Sequence, residues 1–546
     1  MRPGGGLRLH LCWSLGLAEN ALADSEMRIA TTHAVIVECI CICRRSYYGL
    51  GAQRLGLKEK SVHVHVASFD RRHQTSPRVG EATAGQPALL ILLACTIVIL
   101  TACYFFSTQM TAHISKDAVK ASLLGLAVGD ALAMPVHWYY SPSKLRKEYG
   151  QVTGMLAPKP HHAESMVQGM SYSGTIDIMH DKACFYAGNR LADEARKKLT
   201  STDIAARRDD HGNYVGAVEE ERVHYHGTLK GGQNTTNACI ARLLTRYLAE
   251  ANAGGQDYYD PDTFLAEHLY KYMTAVPDPN DTDQVKCHND TYMDVYLRGF
   301  FANASKGIAL RNCAWSQRDQ WSIGSLDGVV MTIPIIAAYS HEPEVFVIGR
   351  AVEHHMLTHR SVTVTAVVSV LVPLLLELYR GSDLREALDR AMDKMRPPKC
   401  TGREMRDSYV SHRGPGNIPK HEKWLQHMTT TNESTKDFVH RMVAEFDNDE
   451  DVAGWGDQPN SRLATACYCE QTFTIVLYLA YKYWEDPKKA LLANANLGGH
   501  STARGAVLGA IMGAAHGSSS LPFMGELCAR GCILQEIDEL VETIPL

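Results

Sequence analysis

Two stretches decide how this chain folds: GLAVGDALAMP at 125–135 and GGHSTARGAVLGAIMGAA at 498–515. In the first, Gly125 and Gly129 are four apart inside the longer apolar run ISKDAVKASLLGLAVGDALAM. In the second, Gly505, Gly509 and Gly513 lie on one stripe. A residue every four positions recurs on one face of a helix, and a small one there lets a second helix backbone come close. Both stretches therefore read as tightly packed core helices.

Around them, helical runs such as NACIARLLTRYL, TYMDVYLRGFFANA, SVTVTAVVSVLVPLLLELY and EQTFTIVLYLAYKYW alternate with polar connections. Strand-like alternation is scarce, so the reading is an all-α domain over 114–546. The Val-rich segment 362–376 is long enough to raise the question of a membrane span. Its Ser, Thr and Pro373 residues favour a central core helix instead. The polar regions 154–215 and 395–460 read as surface insertions.

The 546 residues are 45% hydrophobic, enough for a large core. A net charge of −5 excludes the basic face of a nucleic-acid binder, so no nucleic-acid partner is expected. The charge is uneven. Residues 1–87 hold 11 Lys+Arg and 7 Asp+Glu, net +4, which leaves −9 for the remainder. The join is ALLILLACTIVILTACYFF at 88–106, which has no charge and about the length that crosses a bilayer. Arg71, Arg72 and Arg78 precede it, which places the N-terminus of a single-pass membrane protein in the cytoplasm. The alternative is that translation starts at Met110, with residues 1–109 a gene-model extension and the protein cytoplasmic. The cysteines after the apolar segment have irregular spacing and suggest neither a disulfide framework nor a zinc site.

Two constructions point to a site. Gly231-Gly232-Gln233-Asn234-Thr235-Thr236 and Gly498-Gly499-His500-Ser501-Thr502 each place a glycine pair and short polar side chains ahead of a helix. Free N–H groups and the positive end of the helix dipole could there hold a diphosphate or a group of hydroxyls and cations. HNDTYMD, 288–294, sets Asp290 and Asp294 four apart, as if on one helical face; a solvated face or an N-cap is the competing reading. His224, His226, His354, His355 and His359, with His137 and His500, are imidazole-rich enough to consider a transition-metal site. Isolated histidines are more often structural.

Taken in order, GLAVGDALAMP, GGQNTTNACIARLL, DGVVMTIP, AVEHHMLTH and NANLGGHSTARGAVLGAIMGAA resemble the ADP-ribosylglycohydrolase family, which includes dinitrogenase-reductase-activating glycohydrolases and the J1 crystallins. The resemblance covers nearly all of 114–516. It implies an all-α bundle, an ADP-ribose-type substrate that is protein-linked or small, and two Mg²⁺ ions that assist hydrolysis of a glycosidic bond. Carried over by position, the family's Gly-Asp-Ala-Leu element is Gly129 to Leu132, and its sugar-facing acid falls on His137. Its metal positions fall on Asn234, His500 and Thr502, where the usual aspartates are absent. Substrate contacts would come from Asn234, Thr235, Asp327, Gly328, Gly498, Gly499 and Ser501.

Mg²⁺ favours charged oxygen ligands, so the loss of those carboxylates puts the metal mechanism in doubt. Asp130, Asp290 and His137 are the remaining candidates for catalysis, because glycoside cleavage needs a carboxylate to activate water or steady an oxocarbenium-like transition state. Two functions follow as expectations: a hydrolase of an N- or O-glycosidic bond, or a catalytically silent, crystallin-like member that binds ADP-ribose or is structural.

Overall fold

A computed structural model describes residues 113–165, 224–254, 259–275, 281–290, 292–316, 321–398, 431–455 and 461–545. The expected membrane segment 88–106 and the leader lie outside the described residues, as does most of both expected insertions. The described residues all fall in one unit, Ile91–Leu546.

The main helices in chain order are α1 (Lys116–Ala133), α2 (Pro142–Tyr149), α3 (Thr236–Ala253), α4 (Val295–Ala304), α5 (Asp327–Val330) and α6 (Ile333–Ala338). They continue with α7 (Glu344–His355), α8 (Val362–Tyr379), α9 (Leu384–Asp393), α10 (Thr435–Glu445) and α11 (Cys469–Lys482). The last are α12 (Pro487–Leu497), α13 (Ser501–His516) and α14 (Arg530–Thr543). Among the described residues, strand-type pairing is limited to isolated bridges such as Ser325 with Tyr468. The all-α expectation holds.

The centre of the fold is the α1/α13 pair that the glycine stripes suggested. A Cβ on Gly125 would lie 2.0 Å from the Gly509 carbonyl oxygen, and one on Gly129 would lie 1.9 Å from that of Gly505. One on Gly513 would meet the Ala121 oxygen at 2.1 Å. These helices touch backbone to backbone, so their small residues are required by contact. Helix α13 is buried on every side from Ser501 to Ala514. Burial all round explains why it lacks an amphipathic pattern.

Helix α8 starts where Ser361 caps the Val364 N–H and carries Pro373 inside. Both α8 and the Lys116–Val136 segment are long and apolar enough to cross a bilayer, yet they lie largely buried within the protein. Both are core helices, as expected for 362–376. At the other end of the chain α14 docks on α3 through Glu536, whose carboxylate pairs with Nε and Nη2 of Arg242 and with Nη1 of Arg246.

Candidate active site

The site forms where the start of α3, the end of α1, the loop before α4, helix α5 and the start of α13 meet. The α12–α13 connection is set first by its glycines. Gly498 and Gly499 have φ of +62° and +64°, and a Cβ on them would fall 2.1 Å from the Tyr139 oxygen and 2.2 Å from the Thr465 oxygen. Only glycine suits that combination of left-handed backbone and close approach. Arg504, fully buried in α13, reaches back to the Asn494 and Gly498 carbonyl oxygens at the end of α12, at 3.1 and 2.6 Å. A guanidinium on a helix C-terminus meets both the orphan carbonyls and the negative end of the dipole. Burial still pulls its pKa down to about 9.

The glycine pair exchanges backbone bonds with the segment after α1: Trp138 N–H donates to the Gly499 oxygen and Gly499 N–H to the Tyr139 oxygen, both at 2.7 Å. Trp138 itself has φ of +65°. Its ring packs edge-on against Tyr225 and Tyr292, with centroids 4.4 and 4.6 Å away, forming an aromatic wall beside the histidines.

Beneath this wall five side chains follow one another in hydrogen-bond contact. Asp290 Oδ1 is 2.8 Å from His226 Nδ1, and His226 Nε2 is 2.7 Å from His137 Nδ1. His137 Nε2 is 3.1 Å from His500 Nδ1, and His500 Nε2 is 3.1 Å from both oxygens of Asp327. All five are 2% exposed or less. The Trp138 indole N–H also points at His500 Nδ1, at 3.1 Å. Thr502 Oγ1 lies 3.4 Å from His137 Nε2, and Ser501 Oγ donates to the Ala133 oxygen.

The N-terminus of α3 is occupied by the chain's own acids. Asp130 accepts from Thr235 N–H at 2.8 Å, Thr235 Oγ1 at 2.6 Å and Asn234 Nδ2 at 3.0 Å. Asp290 Oδ2 accepts from Thr236 N–H at 3.1 Å. Among the described residues, Asn234 Oδ1 has no hydrogen-bond partner. Asn237, one residue further into α3, donates through Nδ2 to Asp327 and Asp294, each at 2.8 Å, and so bridges two carboxylates.

These neighbours separate the charges. Burial lifts Asp130 to about 6 despite its three donors. Burial, then the charge of Asp327, lifts Asp294 to about 7. Asp327 goes the other way: burial would raise it, but His500 outweighs burial and holds it below the ordinary value. His137 is pushed well down, first by burial and then by His226 and His500. Burial also acts against His226 and His500, yet Asp290 and Asp327 respectively lift their pKa values above the ordinary one.

The structure thus brings together Asp130, Asp290, His137, Asn234, Thr235, Asp327, His500 and Thr502. Gly328 sits under the His359 ring, where a Cβ would clash at 2.8 Å. Asp290 and Asp294 do not share a helical face. Asp290 belongs to an irregular loop and Asp294 is the N-cap position of α4, because the loop side chains turn inward to bind α3. Asp290 is nevertheless 1% exposed, which also excludes the solvated face.

The histidine-rich motifs split. His226 joins the site, whereas His355 binds the His359 carbonyl and Thr365. Among the described residues, no group of three or more His, Cys, Asp or Glu side chains is arranged to hold a metal ion. Asn237 and Trp138 had no motif to mark them; Asn237 follows the quoted polar run by one residue.

The buried histidines predict an acid-labile fold. Burial takes His162 and His354 to about 3 and His355 to about 4, with His359 also at about 3. Once unfolded, each takes up a proton below about 6.5, so the unfolded state binds more protons and stability rises with pH across that window. Asp130 at about 6, Asp294 at about 7 and Glu470 at about 8 act oppositely, since burial keeps them protonated in the folded state. The histidines outnumber them below about 6.5. Scanning calorimetry against pH is expected to show a melting temperature that falls steeply on the acid side; a flat profile would mean the histidines reach solvent.

Comparison with known proteins agrees with the motifs. The ADP-ribosylglycohydrolase family model matches residues 111–545. A solved structure described as an ADP-ribosylglycohydrolase-related protein complex is 16% identical, with 78% of this chain and 98% of that one covered and a TM-score of 0.42. No curated protein matches. With the family model spanning the helical domain from before α1 to the end of α14, the chain belongs to the ADP-ribosylglycohydrolase family.

Proposed function

We propose that this chain is a catalytically silent member of its family, one that keeps the helical scaffold and fills the reaction centre with its own hydrogen bonds. The observation that carries this reading is that the buried site carboxylates are already committed to protein donors. Asp290 faces His226 and Thr236, Asp327 faces His500 and Asn237, and Asp130 holds three donors. The N-terminus of α3, which could have held a phosphate, is capped by Asp130 and Asp290.

Mg²⁺ requires an octahedron of oxygens, mostly charged or from water. Of the three positions that match the family's metal motifs, Asn234 offers one free oxygen, His500 has both nitrogens engaged and Thr502 faces His137. This donor set does not fit two Mg²⁺ ions. Hydrolysis would also need a carboxyl group in contact with the scissile bond, and Asp130 and Asp290 are enclosed at 1% exposure.

The test is release of ADP-ribose from an ADP-ribosylated protein, with Mg²⁺ and with EDTA. The expected result is no release above the enzyme-free control in either. Release that requires Mg²⁺ overturns the reading.

One observation favours a second reading, hydrolysis of an ADP-ribose glycosidic bond without metal. Asp294 is the half-buried member of the four site carboxylates, and its pKa of about 7 makes it a candidate general acid beside ionised Asp327. Release that is indifferent to EDTA and lost in Asp294→Asn would select that reading.

A further inference from the structure

Arg504 stands inside α13, a helix buried on every side, and its own side chain is 0% exposed. An arginine is charged at neutral pH and carries five N–H donors in a rigid fork. The acceptors that Arg504 has found are all neutral. Nε donates to the Asn494 side-chain oxygen, and Nη2 to the Asn494 and Gly498 carbonyl oxygens. Nη1 is buried too and, among the described residues, has no acceptor.

The charge is no better served than the donors. The carbonyl end of α12 amounts to about half a negative charge, which leaves the other half of the guanidinium unbalanced. Among the described residues no carboxylate pairs with Arg504, and the group whose charge favours it is the half-buried Tyr140 phenol. A buried cation normally has an anionic partner, because its hydration has been given up.

A second donor is orphaned at the same turn. Thr465 is 0% exposed, and its carbonyl oxygen accepts the His500 N–H at 2.7 Å. Its hydroxyl Oγ1 is buried without a partner among the described residues. Thr465 packs on Gly499, and Arg504 holds the carbonyl of the preceding Gly498. A cationic N–H group and a hydroxyl thus flank one glycine pair, each in need of an acceptor.

We propose that the Gly498–Gly499 turn binds a small monovalent anion of the halide class, held by Arg504 Nη1 and the Thr465 hydroxyl. A water molecule could accept the same hydrogen bonds but would bring no charge. A phosphate or a ligand carboxylate brings charge but needs an open mouth, and both donor residues are fully enclosed. Chloride meets both demands, since it is one atom in size, carries one charge and accepts from any direction. Bound there, it ties the end of α12 and the start of α13 to the loop ahead of α11.

The test is thermal melting of the full chain in sodium chloride and in sodium gluconate at equal ionic strength. In chloride the melting temperature is expected to rise by about 2 °C for each tenfold in concentration above the dissociation constant. Gluconate is too large to enter, and no such rise is expected with it. In Arg504→Met the chloride dependence is expected to disappear. Equal melting in the two salts, or a chloride dependence that survives in folded Arg504→Met, overturns the proposal. If that variant does not fold, wild-type crystals grown in bromide decide. An anomalous-scattering peak beside Arg504 Nη1 supports the site; no peak there, or an adventitious ion only at the surface, overturns it.

Discussion

Replacing Gly509 by Val is expected to abolish the folded domain. The new Cβ would sit 2.0 Å from the Gly125 carbonyl oxygen, and its nearest neighbours are backbone atoms of α1, which cannot rotate aside as a side chain could. Moving α1 away from α13 would open the centre of the core along the contacts at Gly129/Gly505 and Gly513/Ala121 as well. Overpacking of a core commonly costs about 1–3 kcal/mol, and a backbone clash at the central helix pair belongs to the exceptional class above about 4–5 kcal/mol. Soluble yield and the circular dichroism melt check it. Gly349→Ala is the control: the site lies inside α7, exposed, with nothing within 4 Å of a new Cβ. There the helix is expected to gain about 0.5–1 kcal/mol. A Gly509→Val chain that melts like the wild type would refute the close crossing.

The second large effect is expected at Glu536. Arg242 and Glu536 are 5% and 7% exposed on their side chains, and Arg246 shares the same carboxylate. Glu536→Gln leaves a buried guanidinium without its countercharge, for which the expected loss is about 3–5 kcal/mol. The loss should fall on α14, which this cluster ties to α3. Converting both partners to apolar residues, Glu536→Met with Arg242→Met, is expected to recover part of it, because the most buried guanidinium is then gone and only the less buried Arg246 loses its countercharge. Denaturant melts of the two single variants and the double variant measure the coupling. Additive losses in the double variant would show that the pair is not energetically linked.

The two glycine-striped helices and the core character of 362–376 were legible because they depend on local spacing. A residue every four positions states which face is small, and that face found its partner 384 residues later, Gly125 against Gly509. The site was legible only in pieces. The polar runs at 231–236 and 498–502 do open two helices that meet, but spacing said nothing of what would fill the space between them. His226 and His137 are 89 positions apart, and His137 and His500 are 363 apart. Their contact is a product of the α1/α13 crossing and of the start of α3.

Asp290 and Asp294 show the limit from the other side. A separation of four suggested a helical face, yet the helix begins only at Val295, after the Asp290 carboxylate has turned to cap α3 and bind His226. Hydrogen-bond demand from a distant helix end outweighed local periodicity there.

Under the proposed function the buried site carboxylates are held by the chain's own hydrogen-bond donors and leave no ligand set for Mg²⁺. Titrating Mg²⁺ into the purified full-length chain by isothermal calorimetry, after exposure to EDTA and its removal, tests this most directly. No saturable heat at millimolar Mg²⁺ is the predicted result. Stoichiometric uptake of one or two ions, lost when Asp130 or Asp327 is changed to Asn, would contradict it.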